Sequence, residues 1–191
     1  MHAVDTMFLF LNPEVDAAGR RVERSTSAGP TAFVWVPDAD AAARIAGSQA
    51  AAGVRLVELY GGFALEQAGQ VVEAIAGRAP VGLAVGPANR IPGDSVMIFG
   101  DDSGAGALVV EHGVTRTTVV GVPDEDAAVR AAVDAVEAGT DTVEICGGTP
   151  LTTAARVAST VGDRASVTLV SWPFESLEGA AAYKAAFEAT H

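Results

Sequence analysis

The chain contains a single cysteine, Cys146, among its 191 residues. One thiol excludes an internal disulfide framework, and it excludes the cofactor-independent racemases that use two thiols. A chain without disulfides fits a reducing compartment, so we expect a cytoplasmic protein. The longest apolar runs reach about ten residues, which is too short to span a bilayer, so no membrane partner is expected. The N-terminus lacks the basic region of a signal peptide, and residues 7–11 are predicted to form a first strand instead.

Positive charge is also scarce. The chain has 12 Lys and Arg against 24 Asp and Glu, which gives a formal net charge of −12. Because phosphate binding needs a basic face, we expect no nucleic-acid partner. The sequence lacks the G-x-G-x-x-G fingerprint of dinucleotide binding and the G-x-S-x-G motif of serine hydrolases. Asp101 and Asp102 could bind a divalent metal, but no third candidate ligand lies at a spacing that is typical of a metal site. We therefore expect neither a metal nor a cofactor.

What the chain does contain is an internal repeat. Residues 36–86 and 122–172 align without a gap over 51 positions, of which 21 are identical. The match extends backwards, where MFLF at 7–10 lies opposite VMIF at 96–99. Such self-similarity indicates one supersecondary unit used twice. We take 1–90 as repeat 1 and 91–191 as repeat 2, and we expect them to pack as one compact pseudo-symmetric unit.

Each copy alternates strand-like and helix-like segments. In repeat 1 the predicted strands are 7–11, 32–36, 55–60 and 81–85, with a helical turn around 17–23 and helices over 37–52 and 65–75. In repeat 2 the predicted strands lie near 96–99, 117–122, 142–146 and 167–171, with helices near 125–138 and 150–161 and a terminal helix over 177–189. The connector 86–93 is rich in Pro and Gly and is predicted to be irregular.

Apolar strands that are each followed by a helix indicate the α/β class, with a parallel sheet covered by helices. The pattern predicts a pseudo-twofold tandem repeat of a four-stranded parallel α/β unit. Two arrangements satisfy it: a (βα)8-like barrel made of two half-barrels, or two packed half-modules with open sheets. The chain is short for a barrel, whose usual size is about 250 residues. Strand order is not visible in a sequence, so both arrangements stay open.

Both arrangements place a ligand beyond the carboxyl ends of the parallel strands. The residues predicted at those ends are Asn12, Asp38, Glu58, Tyr60, Gly61, Gly62, Asp101, Asp102, Asp124, Glu144, Cys146, Gly147, Gly148, Ser171 and Trp172. Glu58 and Glu144 occupy matched positions inside apolar strands. A buried carboxylate costs several kcal/mol unless it is paired or faces a polar cavity, so the two predict a polar interior site. The structural alternative is that each glutamate caps a neighbouring backbone group or forms an ion pair with an arginine, for which Arg44 and Arg130 are available.

The candidate chemistry is acid–base catalysis by Glu58 and Glu144. Tyr60 and Cys146 lie two residues further along each strand, on the same face, and are the candidates to assist. The amides of the following glycine pairs, Gly61, Gly62, Gly147 and Gly148, are candidates to bind a ligand or to stabilise developing negative charge. Thr149 is predicted to cap the next helix, with Pro150 as its first residue.

Residues that differ between the copies are the candidates for specialised chemistry. Tyr60 becomes Cys146, Phe63 becomes Thr149 and Gly86 becomes Trp172, so Thr149 and Trp172 are candidate ligand contacts. Cys146 precedes a helix N-terminus, where a thiolate would be favoured, and His112 is a candidate base for it. The alternative is that Cys146 is a small buried apolar residue of the core.

The E-[LI]-C-G-G motif at a strand end resembles an uncharacterised bacterial domain family of unknown function. The segment TVVGVPDEDAAVRAAVDAVEAGTDTVEICGG is similar to that family, and VWVPDADAAARIAGSQAAAGVRLVELYGGF resembles a second, diverged copy. Copy one departs from the pattern at Tyr60, and copy two departs at Thr149. The resemblance implies a tandem duplication and an α/β fold, and it implies no substrate.

Two hypotheses for the function remain open. The first is a small cofactor-independent enzyme of the isomerase, lyase or cyclase type, acting on a small polar or carbonyl metabolite. The second is a non-catalytic ligand-binding or assembly protein that uses the same pseudo-symmetric cleft. The paired carboxylates favour the enzyme, whereas the lack of a recognised catalytic motif favours the binder. In both cases the partner is a small molecule, and we expect a monomer or a homodimer.

Overall fold

The computed structural model of the protein describes residues 4–85 and 93–189. Repeat 1 contains β1 (Thr6–Leu11), β2 (Arg20–Thr26), β3 (Gly29–Val36), α1 (Ala39–Ala51), β4 (Leu56–Tyr60), α2 (Leu65–Ile75) and β5 (Val81–Val85). Repeat 2 contains β6 (Asp94–Gly100), β7 (Leu108–His112), β8 (Thr115–Val122), α3 (Glu125–Glu137), β9 (Thr142–Ile145), α4 (Leu151–Val161), β10 (Ser166–Ser171) and α5 (Leu177–Glu188). The order of elements is therefore the same in both repeats, apart from the terminal helix α5.

The ten strands form one sheet in the order β2-β3-β1-β4-β5-β10-β9-β6-β8-β7. Within each repeat the four central strands are parallel, and the edge strand is antiparallel to its neighbour. The repeats join through β5 and β10, which are antiparallel and pair Ala84 with Val170. This central antiparallel pair places the two halves in opposite directions, as a pseudo-twofold axis between them requires.

The side chains form three hydrophobic clusters. One lies between α1, α2 and the sheet of repeat 1, and a second lies between α3, α4 and the sheet of repeat 2. We call these two the outer clusters of repeat 1 and repeat 2. The third cluster, which we call the shared core, lies on the opposite side of the sheet and draws residues from both repeats. Its rings include Phe8 and Phe99, whose centroids are 5.9 Å apart although four strands separate β1 from β6 in the sheet. The sheet is therefore curled around the shared core.

Two predictions about the fold are wrong in detail. Each repeat contributes five strands rather than four, and the sheet is mixed rather than wholly parallel. The sheet is also open, because among the described residues the edge strands β2 and β7 pair only with β3 and β8, so a closed (βα)8 barrel is excluded for this part of the chain.

The helical turn predicted around 17–23 is wrong as well. Residues Arg20–Thr26 form the edge strand β2, which alternates exposed and half-buried positions and lacks an apolar run. The remaining predicted strands and helices coincide with the observed ones to within a few residues. The connector predicted to be irregular lies, over 86–92, outside the described residues.

Candidate functional site

Glu58 and Glu144 occupy equivalent positions in the matched strands β4 and β9 of the two repeats. Glu58 is flanked by Phe8 in β1 and by Gly82 in β5, and Glu144 is flanked by Met97 in β6 and by Thr168 in β10. Because side chains alternate along a strand, both glutamates point to the side of the sheet that carries the shared core. Their exposures are 1% and 2%, so both carboxyl groups are buried.

The Glu58 carboxylate accepts three hydrogen bonds. The Tyr60 hydroxyl donates a short hydrogen bond to Oε2. Oε1 accepts from the Gly147 amide at 3.2 Å and from the Cys146 thiol at 3.6 Å. Two of the three donors therefore come from the other repeat, and every oxygen of this carboxylate has a partner.

The Glu144 carboxylate has fewer partners. Its Oε1 accepts from the Gly61 amide at 2.8 Å, again across the repeats. Its Oε2 is buried and has no hydrogen-bond partner among the described residues. The neighbouring Thr168 Oγ1 is likewise buried and unpartnered within the described part of the chain. A buried polar atom without a partner is unusual, and these two lie on adjacent strands.

The two glutamate–amide contacts are related by the repeat. Gly61 and Gly147 are matched positions, and each donates its amide to the glutamate of the opposite repeat. Gly61 has φ +81°, and a β-carbon there would lie 2.8 Å from the Leu11 carbonyl oxygen. Only glycine therefore lets the strand end turn so that this amide reaches Glu144. We call Glu58, Glu144, Gly61 and Gly147, together with Tyr60 and Cys146, the carboxylate centre.

Burial shifts the protonation of both carboxylates. Burial raises the pKa of Glu58 from 4.5 to about 7, against the opposing effect of its hydrogen bonds from Tyr60, Cys146 and Gly147. Burial likewise raises the pKa of Glu144 to about 7, opposed only by the Gly61 amide. The hydrogen bonds therefore distinguish the two groups. Three donors contact Glu58, whereas Glu144 has one, and the pKa of each group is about 7.

Tyr60 and Cys146 both keep their protons at neutral pH. Burial, followed by the nearby Glu58 charge, raises the pKa of each well above its ordinary value. The expected thiolate at Cys146 is therefore not what the geometry supports. The thiol acts as a donor to Glu58, and although the Gly148 amide lies 3.5 Å from its sulfur, that contact does not outweigh burial.

Of the two structural alternatives for the glutamates, a hydrogen bond with a backbone amide is observed and an ion pair with Arg44 or Arg130 is not. Arg44 and Arg130 are both exposed on helices that cover the other side of the sheet. Arg44 donates to the Ala17 carbonyl at 3.2 Å, and the hydrogen bonds described for Glu58 and Glu144 involve neither arginine. The described hydrogen bonds to the two carboxylates thus come from backbone amides, a hydroxyl and a thiol, and not from a positively charged side chain.

His112 does not join Cys146. It ends β7 in the turn of the β7–β8 hairpin, and β8 and β6 lie between that strand and β9 in the sheet. No hydrogen bond in the described part of the chain links His112 to Cys146, and the His112 Nε2 atom is buried without a partner there. The structure therefore supplies no geometry for a Cys146–His112 pair.

Several other predicted strand-end residues have structural roles. Asp38 and Asp124 cap α1 and α3, accepting from the Ala41 and Ala127 amides at 2.8 and 2.7 Å. Asn12 and Asp101 bind the hairpins of the opposite repeats. Asn12 donates to the Thr115 hydroxyl at 2.7 Å, and Asp101 accepts from the Ser27 amide at 2.9 Å.

Trp172 lies at the edge of the carboxylate centre, whereas Thr149 follows it in the chain and donates its amide to the Cys146 carbonyl at 3.0 Å. Thr149 does not cap α4, because Pro150 takes an extended ψ of 140° and helical geometry begins one residue later, at Leu151. The Trp172 ring covers the backbone of Gly82 and Gly147, since a β-carbon on either glycine would approach the ring to about 3.0 Å. Its counterpart Gly86 lies outside the described residues.

Comparison with known families accounts for the duplication. A model of one family, described only as a family of unknown function, matches residues 4–93 and again 96–185. The chain belongs to this DUF6506 family. The resemblance expected from the E-[LI]-C-G-G motif is therefore confirmed as a tandem duplication, and the two matches correspond to the two five-stranded halves of the sheet. No curated protein and no solved structure matches the chain.

Membership of the DUF6506 family carries no activity with it, so the site is judged on its own geometry. Among the described residues there is no group of three or more His, Cys, Asp and Glu that could hold a metal ion. None of the helices in the described ranges is long and apolar enough to cross a membrane.

In this DUF6506 duplication, one residue beside the carboxylate centre was not predicted from the sequence. Thr168 stands beside Glu144, where repeat 1 has Gly82 beside Glu58. The gapless alignment of the repeats contains a signal for Thr168, because it aligns a glycine in one copy with a hydroxyl residue in the other. A comparison restricted to strand ends overlooks it, since Thr168 lies within its strand.

Proposed function

We propose that the protein is a small cofactor-independent enzyme that moves a proton on a small polar or carbonyl compound, as isomerases, lyases and cyclases do. The observation that carries this proposal is the free carboxyl oxygen of Glu144. It is buried and unpartnered within the described residues, and it belongs to a group with a pKa of about 7. A catalytic acid or base works best when its pKa lies near the working pH.

The two glutamates have different roles in this proposal. Glu144 is the proton carrier, because its Oε2 has no partner among the described residues while Oε1 is held by the Gly61 amide. Glu58 is a positioning residue, because its oxygens are occupied by Tyr60, Cys146 and Gly147. The asymmetry accompanies the difference between Tyr60 and Cys146 at matched positions, because both of these residues donate to Glu58.

The chemistry is that of a single carrier. An ionised Glu144 takes a proton from a carbon next to a carbonyl group, and the neutral acid then returns that proton to a neighbouring atom. The electron pair left by the proton is delocalised onto the carbonyl oxygen of the substrate. The Thr168 hydroxyl, which has no other partner in the described chain, is the donor on hand for a polar substrate group. One carrier that removes and returns a proton suits an isomerase best of the three classes.

The test works with a panel of simple carbonyl compounds and does not require the natural substrate. Small 2-oxo and hydroxycarbonyl compounds are incubated with the protein in D2O, and exchange of carbon-bound hydrogen for deuterium is followed by NMR. We expect exchange with the unaltered protein and at least a hundredfold slower exchange with Glu144→Gln. Glu66→Gln, which changes an exposed glutamate, is the matched control and keeps full exchange.

Two results would contradict the proposal. One is exchange that persists in Glu144→Gln. The other is saturable binding of such a compound at the carboxylate centre without exchange, which would identify a binding protein rather than an enzyme.

A further inference from the structure

We propose that repeat 2 carries a second ligand site, for a single ring bearing a hydrogen-bonding group, in a cleft that repeat 1 fills with its own side chains. The cleft has a volume of about 180 Å³. It lies between the N-terminal turns of α3 and α4 and the ends of β6 and β8. Its lining includes Gly100, Val122, Ala128, Thr149 and Thr153.

The internal repeat shows how the cleft arises. Leu11 pairs with Val36 at the end of β1, and Gly100 pairs with Val122 in the same register at the end of β6. Leu11 is buried in the outer cluster of repeat 1, whereas a β-carbon on Gly100 would have no heavy atom within 4 Å.

A second replacement enlarges the same space. Phe63 is 4% exposed and packs in the outer cluster of repeat 1 with Leu11 and Val36. Its counterpart in repeat 2 is Thr149, which lines the cleft. Two large apolar side chains are thus absent from one location of repeat 2, while the surrounding strands and helices are kept.

One buried polar atom of the cleft lining, Oγ1 of Thr153, has no hydrogen-bond partner among the described residues. Thr153 is 1% exposed, lines the cleft, and has a hydroxyl without a hydrogen-bond partner in the described part of the chain. In repeat 1 the matched residue is Gln67, whose Oε1 accepts from the Ala64 amide at 2.8 Å. Repeat 2 has Pro150 in place of Ala64, and proline has no amide hydrogen to offer. The Thr153 hydroxyl is therefore left for a ligand.

Size and charge define the class of ligand. A cavity of roughly 150 Å³ binds benzene, so about 180 Å³ suits one ring with a small substituent. Asp124 and Glu125 also line the cleft. The nearby Arg156 is shared between Glu125 at 3.4 Å and Asp126 at 2.6 Å, so the surroundings keep a net negative charge. The site thus favours a neutral or cationic ring and disfavours an anionic one.

This site is separate from the carboxylate centre. Val122 and Ala128 belong to the outer cluster on the helix side of the sheet, whereas Glu58 and Glu144 face the shared core on the other side. The inference therefore does not depend on the proposed enzyme activity.

The experiment titrates the whole protein with phenol, benzylamine and benzoate and follows backbone amide shifts by NMR. We expect phenol and benzylamine to shift the amides of Gly100 and Gly148 with Kd values on the order of 1 mM, as suits ligands of this size. Benzoate should bind at least tenfold more weakly, because of the acidic surroundings.

Two variants fill the cleft by copying repeat 1. Thr149→Phe and Gly100→Leu should each weaken phenol binding at least tenfold. Thr152→Phe, the same chemical change at an exposed position on α4, is the matched control and should keep the affinity. The proposal is overturned if phenol causes no shift at Gly100, if benzoate binds as well as phenol, or if both filled variants bind phenol like the unaltered protein.

Discussion

At the scale of single residues, the difference between Tyr60 and Cys146 gives the two matched carboxylates different hydrogen-bond partners. Glu58 and Glu144 have the same strand position, the same burial and the same type of amide contact from the opposite repeat. They differ because Tyr60 and Cys146 both donate to Glu58 and neither donates to Glu144. Both oxygens of Glu58 thereby have partners, whereas Oε2 of Glu144 has none among the described residues.

The first prediction concerns pH. Burial raises the pKa of Glu144 in the folded state from 4.5 to about 7, so folding favours the protonated carboxyl group. The stability that depends on this proton is fully present below about pH 4.5 and is lost as the pH rises through about 7. The free energy of unfolding should fall between pH 5 and pH 8, by on the order of 3 kcal/mol for this group. Glu144→Gln, which imitates the neutral acid, should lack this share of the fall.

Urea denaturation at pH 5 and pH 8 measures the difference. Glu66→Gln, at an exposed position, should behave like the unaltered protein at both pH values. Arg130→Met should also leave stability unchanged within about 0.5 kcal/mol, since Arg130 is exposed and is not the partner of Glu144. A Glu144→Gln variant whose stability falls as steeply as that of the unaltered protein would refute the assigned pKa.

The second prediction concerns the thiol. Burial and the Glu58 charge raise the pKa of Cys146, so the thiol is protonated at pH 7 and reacts poorly as a nucleophile. Iodoacetamide should label the folded protein slowly near pH 7 and the denatured protein quickly. Cys146→Ala should retain proton exchange. Fast labelling of the folded protein, with loss of that activity, would instead make Cys146 a reacting group.

At the scale of elements, the turn between β4 and α2 supports the third prediction. Gly61→Ala should destabilise the protein by more than about 2 kcal/mol, because φ is +81° and the added carbon would meet the backbone of Leu11. Gly69→Ala in the exposed part of α2 is the matched control. It meets nothing within 4 Å and should stabilise the helix by about 0.5–1 kcal/mol. Thermal unfolding of the two variants gives the comparison, and equal melting temperatures would contradict it.

The elements found from the sequence are those with a strong apolar signal. The run MFLFL and the segment LVELY are buried at every position and were recognisable as strands. The helices were recognisable from their spacing and from Asp38 and Asp124 at their starts. The edge strands β2 and β7 were missed because one side of each faces solvent, so RRVERST lacks an apolar run.

The site was predictable in its residues and not in its connections. A charged residue within an apolar strand singled out Glu58 and Glu144, and the repeat showed that they are matched. The exchange of amides between repeats depends on the antiparallel contact of β5 with β10, and no local pattern encodes which strands meet. Arg44 and Arg130 are not partners of the glutamates because they lie on helices that cover the other side of the sheet.

At the scale of the whole molecule, the two repeats depend on each other. The shared core draws Phe8, Phe33 and Tyr60 from repeat 1 and Met97 and Phe99 from repeat 2. Each repeat also supplies the amide that binds the other's buried glutamate. A single repeat would expose one side of its sheet and leave its glutamate without that amide.

The fourth prediction follows from this dependence. Fragments 1–90 and 91–191, produced separately, should not be folded monomers, because the shared core is incomplete in each. An equimolar mixture should form a 1:1 complex with a cooperative thermal transition. Light scattering after size exclusion, together with circular dichroism, measures both properties. A fragment that is monomeric and folded on its own would show that the repeats are independent domains.

The central claim is that the molecule holds two buried carboxyl groups whose pKa values lie near 7. One of them has an oxygen without a hydrogen-bond partner among the described residues. NMR titration of the side-chain carboxyl carbons of Glu58 and Glu144, assigned with Glu58→Gln and Glu144→Gln, tests it most directly. The account predicts that both titrate near pH 7, well above the 4.5 of an exposed glutamate, and that an added substrate group perturbs Glu144 more than Glu58. Two carboxyl carbons that titrate near 4.5 would contradict it.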